Sequence, residues 1–179
     1  MEHKHPEDFR YEDRHLEVLV SPTYQIDNDI ETARRMIDIA TSDLETVLRR
    51  YTEPMMCAAT DSPTLRVRVL VGAAGQEELR RQIHPGQWRE LDYTGVLKSL
   101  HLSFRWCEAE LPFEMIRADG RLLVGIRGVV EPLPQLAPVL RYTDSQQFPA
   151  LRWVNLFEKV WRNSPEIPDL PVKSTSALG

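Results

Sequence analysis

A group of ionisable residues lies in the second half of the chain: Glu108, Glu110, Glu114 and Asp119, with Arg117 between the last two. The spacing of Glu108, Glu110 and Glu114 suits one strand face or a loop. There the carboxylates suit a solvated edge. The histidines are His3, His5, His15, His84 and His101, and no two have the His-x-x-x-His spacing of a metal pair on one helix face. Only His101 falls inside an expected core element. A satisfied structural histidine outweighs a base there, although burial would shift its pKa. Cys57 and Cys107 stand in the contexts Met55-Met56-Cys57-Ala58 and Phe104-Arg105-Trp106-Cys107. Both read as small buried hydrophobes, with no need of a disulfide and too few for zinc. No metal and no cofactor is expected. Thiol chemistry by Cys107 with His101 is the weaker catalytic alternative. No Gly-x-Ser-x-Gly elbow occurs. Gly72-Ala73-Ala74-Gly75 lies between a strand and a helix but lacks the spacing and Lys of a P-loop. It reads as an ordinary turn that could still offer N–H groups to an anion.

The elements that must position these residues come next. Leu16 to Val20 reads as a strand stopped by Ser21-Pro22. Asp27 or Asn28 then caps a helix whose apolar face is Ile30, Ala33, Met36, Ile37 and Ala40. The stripe continues through Leu44, Val47, Leu48 and Tyr51, so the spacing predicts one long helix over 27–51. The alternative breaks it at Thr41-Ser42-Asp43 and makes Leu44 to Leu48 a strand. Leu65 to Val71 is the clearest strand, with Gly75 to Ile83 a short helix behind it; residues 87–100 stay ambiguous. Leu102 to Trp106 is extended. Phe113 to Ala118 and Leu122 to Ile126 pair around Asp119-Gly120, a hairpin dipeptide. Val139 to Tyr142 is a further strand. A last helix opens at Pro149 and turns Leu151, Val154, Phe157, Val160 and Trp161 inward. The order predicts an α/β fold, a mixed β-sheet flanked by helices.

The chain of 179 residues suits one domain. We expect a flexible N-terminal arm over 1–14, a single domain over 15–163 and a flexible C-terminal tail over 164–179. Residues 1–14 are mostly charged, and the tail has little apolar content. No run of 18 apolar residues exists, and the first ten residues are too polar for a secretory signal. No membrane contact and a cytoplasmic location are expected. The net charge of −5 argues against direct nucleic-acid binding, and pairs such as Arg34/Arg35 or Arg49/Arg50 read as solvated faces.

The stretch Pro112-Phe113-Glu114-Met115-Ile116-Arg117-Ala118-Asp119-Gly120 resembles the His-x-Lys-x-x-x-x-Asp motif of phospholipase D-like proteins. Asp119 takes the Asp position. Pro112 stands where the His would be and Glu114 where the Lys would be, and Gly125 or Gly128 approximates a later glycine. The amphipathic segment Ile30 to Ala40, the Val-rich strand Arg66 to Val71 and the ending Phe157-x-x-x-Trp161 are similar to the family's surroundings. The resemblance spans about 25–163 and implies a phospholipase D-like sandwich. In that family the His attacks phosphorus and the Lys binds phosphate. A proline cannot attack, and a carboxylate repels phosphate. The implication is a domain without phosphodiesterase activity, similar to ligand-sensing domains of some transcription regulators. Its pocket would be lined by Glu114, Asp119, Arg117 and His101 and would take a polar or cationic small molecule. The alternative is a homodimerising module within a larger assembly, with Trp88, Trp106, Trp153 and Trp161 as anchors.

Overall fold

The computed structural model describes residues 16–19, 26–73, 101–126 and 139–165. In chain order the elements are β1 (Leu16–Leu19), α1 (Ile26–Glu31), β2 (Met36–Thr41), α2 (Leu44–Asp61), β3 (Arg66–Val71), β4 (His101–Trp106), β5 (Phe113–Ala118), β6 (Arg121–Ile126), β7 (Val139–Tyr142) and α3 (Ala150–Asn163). The strands form one seven-stranded sheet in the order β1-β7-β6-β5-β2-β3-β4. β2, β3 and β4 run parallel, and every other pairing is antiparallel. The α/β class with a mixed sheet is therefore as read. The expected helix over Gly75 to Ile83, residues 87–100, the arm and most of the tail lie outside the described residues. Ser164 and Pro165 belong with the domain: the Ser164 hydroxyl donates to the Val160 carbonyl, and Trp106 N–H donates to the Pro165 carbonyl at 3.1 Å.

Residues 27–51 are not one helix. α1 ends at Glu31, β2 follows, and α2 begins only at Leu44. The predicted break at Thr41-Ser42-Asp43 exists, fixed by a bond from Asp43 N–H to the Thr41 hydroxyl. The strand, however, precedes it. β2 lies between β3 and β5 with both faces covered, and Ile37 to Thr41 are all buried. A strand buried on both faces loses the alternation that would reveal it, so Ile30, Ala33, Ile37 and Ala40 mimic a helical stripe. The apolar spacing of α2 does hold: Leu44, Val47, Tyr51, Met55 and Ala58 are buried.

Two cores result. One lies between the sheet and the α1/α2 layer, around Ile30, Ile37, Ile39, Val67, Val69 and Met55. The other lies beneath α3, around Leu70, Phe113, Met115, Val124, Phe157 and Trp161. Burying such side chains contributes about 1.5–3 kcal/mol each. In α3, Val154, Phe157 and Trp161 face inward as expected, whereas Leu151 is exposed because it sits on the flank of the helix, about 90° from the buried centre. Cys57 is exposed rather than buried, on the outer side of α2, and Cys107 is half-buried. No helix among the described residues is long and apolar enough to cross a membrane.

Candidate functional site

Strand direction defines two ends. Met36, Arg66 and His101 open β2, β3 and β4 side by side, and Ala118 closes β5 next to them. The opposite end holds Thr41, Val71, Trp106 and the beginning of β5.

Asp119 sits at the first end, in the turn between β5 and β6, with φ of 50°. Aspartate tolerates that left-handed conformation better than most side chains. Its carboxylate accepts three backbone N–H bonds, from Arg34 at 2.8 Å, Arg35 at 2.9 Å and Met36 at 2.9 Å. Its own N–H donates to the Met36 carbonyl at 3.0 Å. Asp119 thus clamps the hairpin to the opening of β2. Burial alone pushes the carboxyl up, but the bonds from Arg34, Met36 and Arg35 outweigh it and hold Asp119 below the usual carboxylate range. Those partners leave the side chain committed to protein backbone.

Arg117 lies one turn-length back along β5, buried beneath α3. Its Nη1 is 3.3 Å from Asp38 Oδ2, and its Nε donates to the Asp119 carbonyl at 3.1 Å. Asp38 is 1% exposed and also accepts from Arg68 Nε at 2.7 Å and Nη2 at 3.0 Å. Arg68 Nη2 continues to Glu158 Oε1 on α3 at 2.6 Å. Its guanidinium also lies over the Phe157 and Trp161 rings, at 5.0 and 5.3 Å from their centroids. Burial lowers the Arg68 pKa, but the bonds to Asp38 and Glu158 more than reverse this. The hydrogen bond from Arg68 in turn holds Glu158 low. This network joins β2, β3, β5 and α3.

Glu114 lies at the other end, the second residue of β5, opposite Gly125. Asp119 lies five positions farther along, about 16 Å in an extended strand. Glu114 is half-buried, and the Ser42 hydroxyl donates to its Oε1 at 3.2 Å. Tyr51 of α2 is buried nearby. Burial pushes its phenol up, Arg50 opposes this, and the charges of Asp27 and Glu114 add to the rise. Pro112 is exposed just before β5. His101, the one histidine among the described residues, opens β4 opposite Arg66, at the end away from Glu114.

The single pocket expected from Glu114, Asp119, Arg117 and His101 is therefore divided. Asp119, Arg117 and His101 lie toward one end of the strands and Glu114 at the other. A strand of six residues separates what its sequence lists side by side. The first N–H groups of the Gly72 turn are also engaged: Gly72 donates to the Thr41 carbonyl at 2.9 Å and Ala73 to the Ala109 carbonyl at 3.4 Å. Trp161 is buried, and Trp153 meets Phe113 with ring centroids 5.7 Å apart, so both serve the core. Trp88 lies outside the described residues. No group of three or more metal-ligating side chains occurs among the described residues. Sequence reasoning missed Asp38, Arg68, Glu158 and Ser42. The one signal was a lone aspartate in the apolar run Met36-Ile37-Asp38-Ile39-Ala40.

No family model matches the chain, and no curated protein sequence matches it. Solved structures do. The archaeal chromatin protein TrmBL2, described as showing a novel mode of DNA binding, is similar at 12% identity and TM-score 0.61 over 89% of this chain. Phosphatidylserine synthase from Haemophilus influenzae Rd KW20 is similar at 16% identity and TM-score 0.56 over 81% of it. NucT from Helicobacter pylori is similar at 10% identity and TM-score 0.53 over 85% of it. This chain spans 57% of the chromatin protein, 36% of the synthase and 98% of NucT. The likeness to a DNA-binding protein overturns the exclusion of nucleic acid drawn from charge. A net charge describes the whole surface, whereas a partner meets one face of it. The fold carries both an enzyme and a chromatin protein, so it does not settle activity. The chain has a phospholipase D-like fold.

Proposed function

We propose that this chain is a non-catalytic regulatory or ligand-sensing domain. One observation carries the reading: of the three motif positions, the one retained has an architectural task. Asp119 holds three backbone N–H groups where β2 opens and so ties the β5–β6 hairpin to the sheet. The positions that would do chemistry hold Pro112 and Glu114. Proline offers no nucleophile, and Glu114 presents negative charge bonded to Ser42 where a phosphate would need a cation. A ligand at this end is polar or cationic and pairs with Glu114.

Two assays on the purified chain test this. With bis(p-nitrophenyl) phosphate, the release of p-nitrophenol stays at the buffer rate. Turnover that Glu114→Gln or His101→Ala abolishes would sink the proposal. In a thermal-shift screen of amines, sugars and nucleotides, a polar or cationic compound raises the melting temperature by mass action, and Glu114→Gln removes the shift. A shift that survives Glu114→Gln moves the ligand away from this end.

A further inference from the structure

We infer that the outward face of α3 docks the backbone of a single-stranded nucleic acid. Projected at about 100° per residue, the outer arc of α3 holds Lys159, Arg152 and Asn163 near its centre, with Asn155 and Leu156 beside them and Arg162 and Leu151 toward one flank. Arg152, Lys159 and Arg162 are exposed, and none forms an ion pair with another described residue. The nearest carboxylate on the helix is Glu158. It feels Arg162 but is already bound by Arg68. Lys159 and Arg162, three apart, repel each other, a cost that an anionic partner removes. Arg162 alone suits the helix C-terminus; Arg152 and Lys159 do not have that explanation. The stripe from Arg152 to Arg162 is about 15 Å long, enough for several successive phosphates.

A second feature lies on the same face. The large hydrophobics exposed among the described residues are Phe148, at 63%, and Leu151 and Leu156, each at 36%. Phe148 lies beside the first turn of α3, with the Arg152 guanidinium 5.3 Å from its ring centroid. An exposed aromatic ring beside a line of cations is how proteins grip single strands: phosphates on the cations, a base on the ring. The whole-chain charge of −5 does not oppose this, since charges farther than about 8 Å are screened at physiological salt. An anionic lipid surface fits less well. The apolar side of α3, Val154, Phe157 and Trp161, is already committed to the core. An acidic protein segment fits less well too, because it would pair with the cations but leave the exposed Phe148 ring without a base to stack on.

The test is fluorescence anisotropy of a labelled DNA strand of about 20 nucleotides, titrated with the full chain at several salt concentrations. Binding is micromolar or weaker, and log K falls against log[salt] with a slope near −2, about 0.7 for each of three neutralised phosphates. The triple variant Arg152→Ala, Lys159→Ala, Arg162→Ala lowers affinity at least 10-fold while its melting temperature stays close to wild type. Asn155→Glu, one negative charge in the stripe, does so without removing a cation. Phe148→Ala costs about 10-fold through lost stacking. The inference is overturned by absence of binding at low salt, by binding that the triple variant retains, by tighter binding to duplex than to single strand, or by tighter binding to an oligoglutamate peptide. None of these results depends on whether Glu114 binds a ligand.

Discussion

The two ends of β5 have been treated differently. At the Asp119 end, one carboxylate closes three backbone N–H bonds, and the neighbouring Arg117 enters a network with Asp38, Arg68 and Glu158. At the Glu114 end, a half-buried carboxylate receives a hydroxyl bond from Ser42, and Pro112 before it is exposed. One end is fixed by what the backbone requires. At the other, the carboxylate receives a side-chain hydroxyl. Removing an acceptor that serves three N–H groups costs more than removing one that serves a hydroxyl.

Four measurements sharpen or break this contrast, from the largest effect down. Asp38→Ala leaves Arg68 and Arg117 charged beneath α3 without their shared partner, and urea denaturation registers a loss of about 3–5 kcal/mol. A loss below about 1 kcal/mol would mean that water or Glu158 replaces the carboxylate, and that the network is not what holds this end. Asp119→Ala comes next, at about 2–3 kcal/mol, from the loss of bonds to a charged acceptor and a left-handed residue that alanine tolerates poorly. Asn, which keeps one acceptor oxygen and accepts the same backbone conformation, loses about half of that.

The same clamp sets an acid response. Asp119 and Glu158 have folded-state pKa values below the ordinary one, so they contribute stability above the unfolded carboxylate value of about 4. That contribution is lost as the pH falls through the folded values. Denaturant midpoints between about pH 6 and 2 therefore fall less steeply in Asp119→Asn than in wild type. Equal slopes would assign the acid response to other groups. At the opposite end, Glu114→Gln changes stability by less than about 1 kcal/mol, because the Ser42 hydroxyl can still donate to an amide oxygen. If Glu114→Gln proved as costly as Asp119→Ala, both ends would be architectural and the contrast would fail.

Much of the fold was legible because local chemistry and tertiary structure agree. Asp119-Gly120 between two apolar runs is a hairpin, and Val139 to Tyr142 and Arg66 to Val71 are strands in both readings. The reading failed at β2, where tertiary context supplies apolar neighbours on both faces and erases the alternation. It also grouped Glu114 with Asp119 through the motif resemblance, although five positions along a strand span about 16 Å.

By itself the sequence determined the α/β class, the hairpin and the last helix. Those features depend on periodicity, turn chemistry and residue identity, which are local. Only the tertiary structure decided that Asp119 serves three N–H groups some 85 residues away, that Asp38 is a buried ion partner rather than a helix residue, and that Glu114 meets Ser42 at the far end. Such roles depend on which strands become neighbours, and the order β5-β2-β3 is set by burying both faces of the central strands rather than by any short stretch of residues.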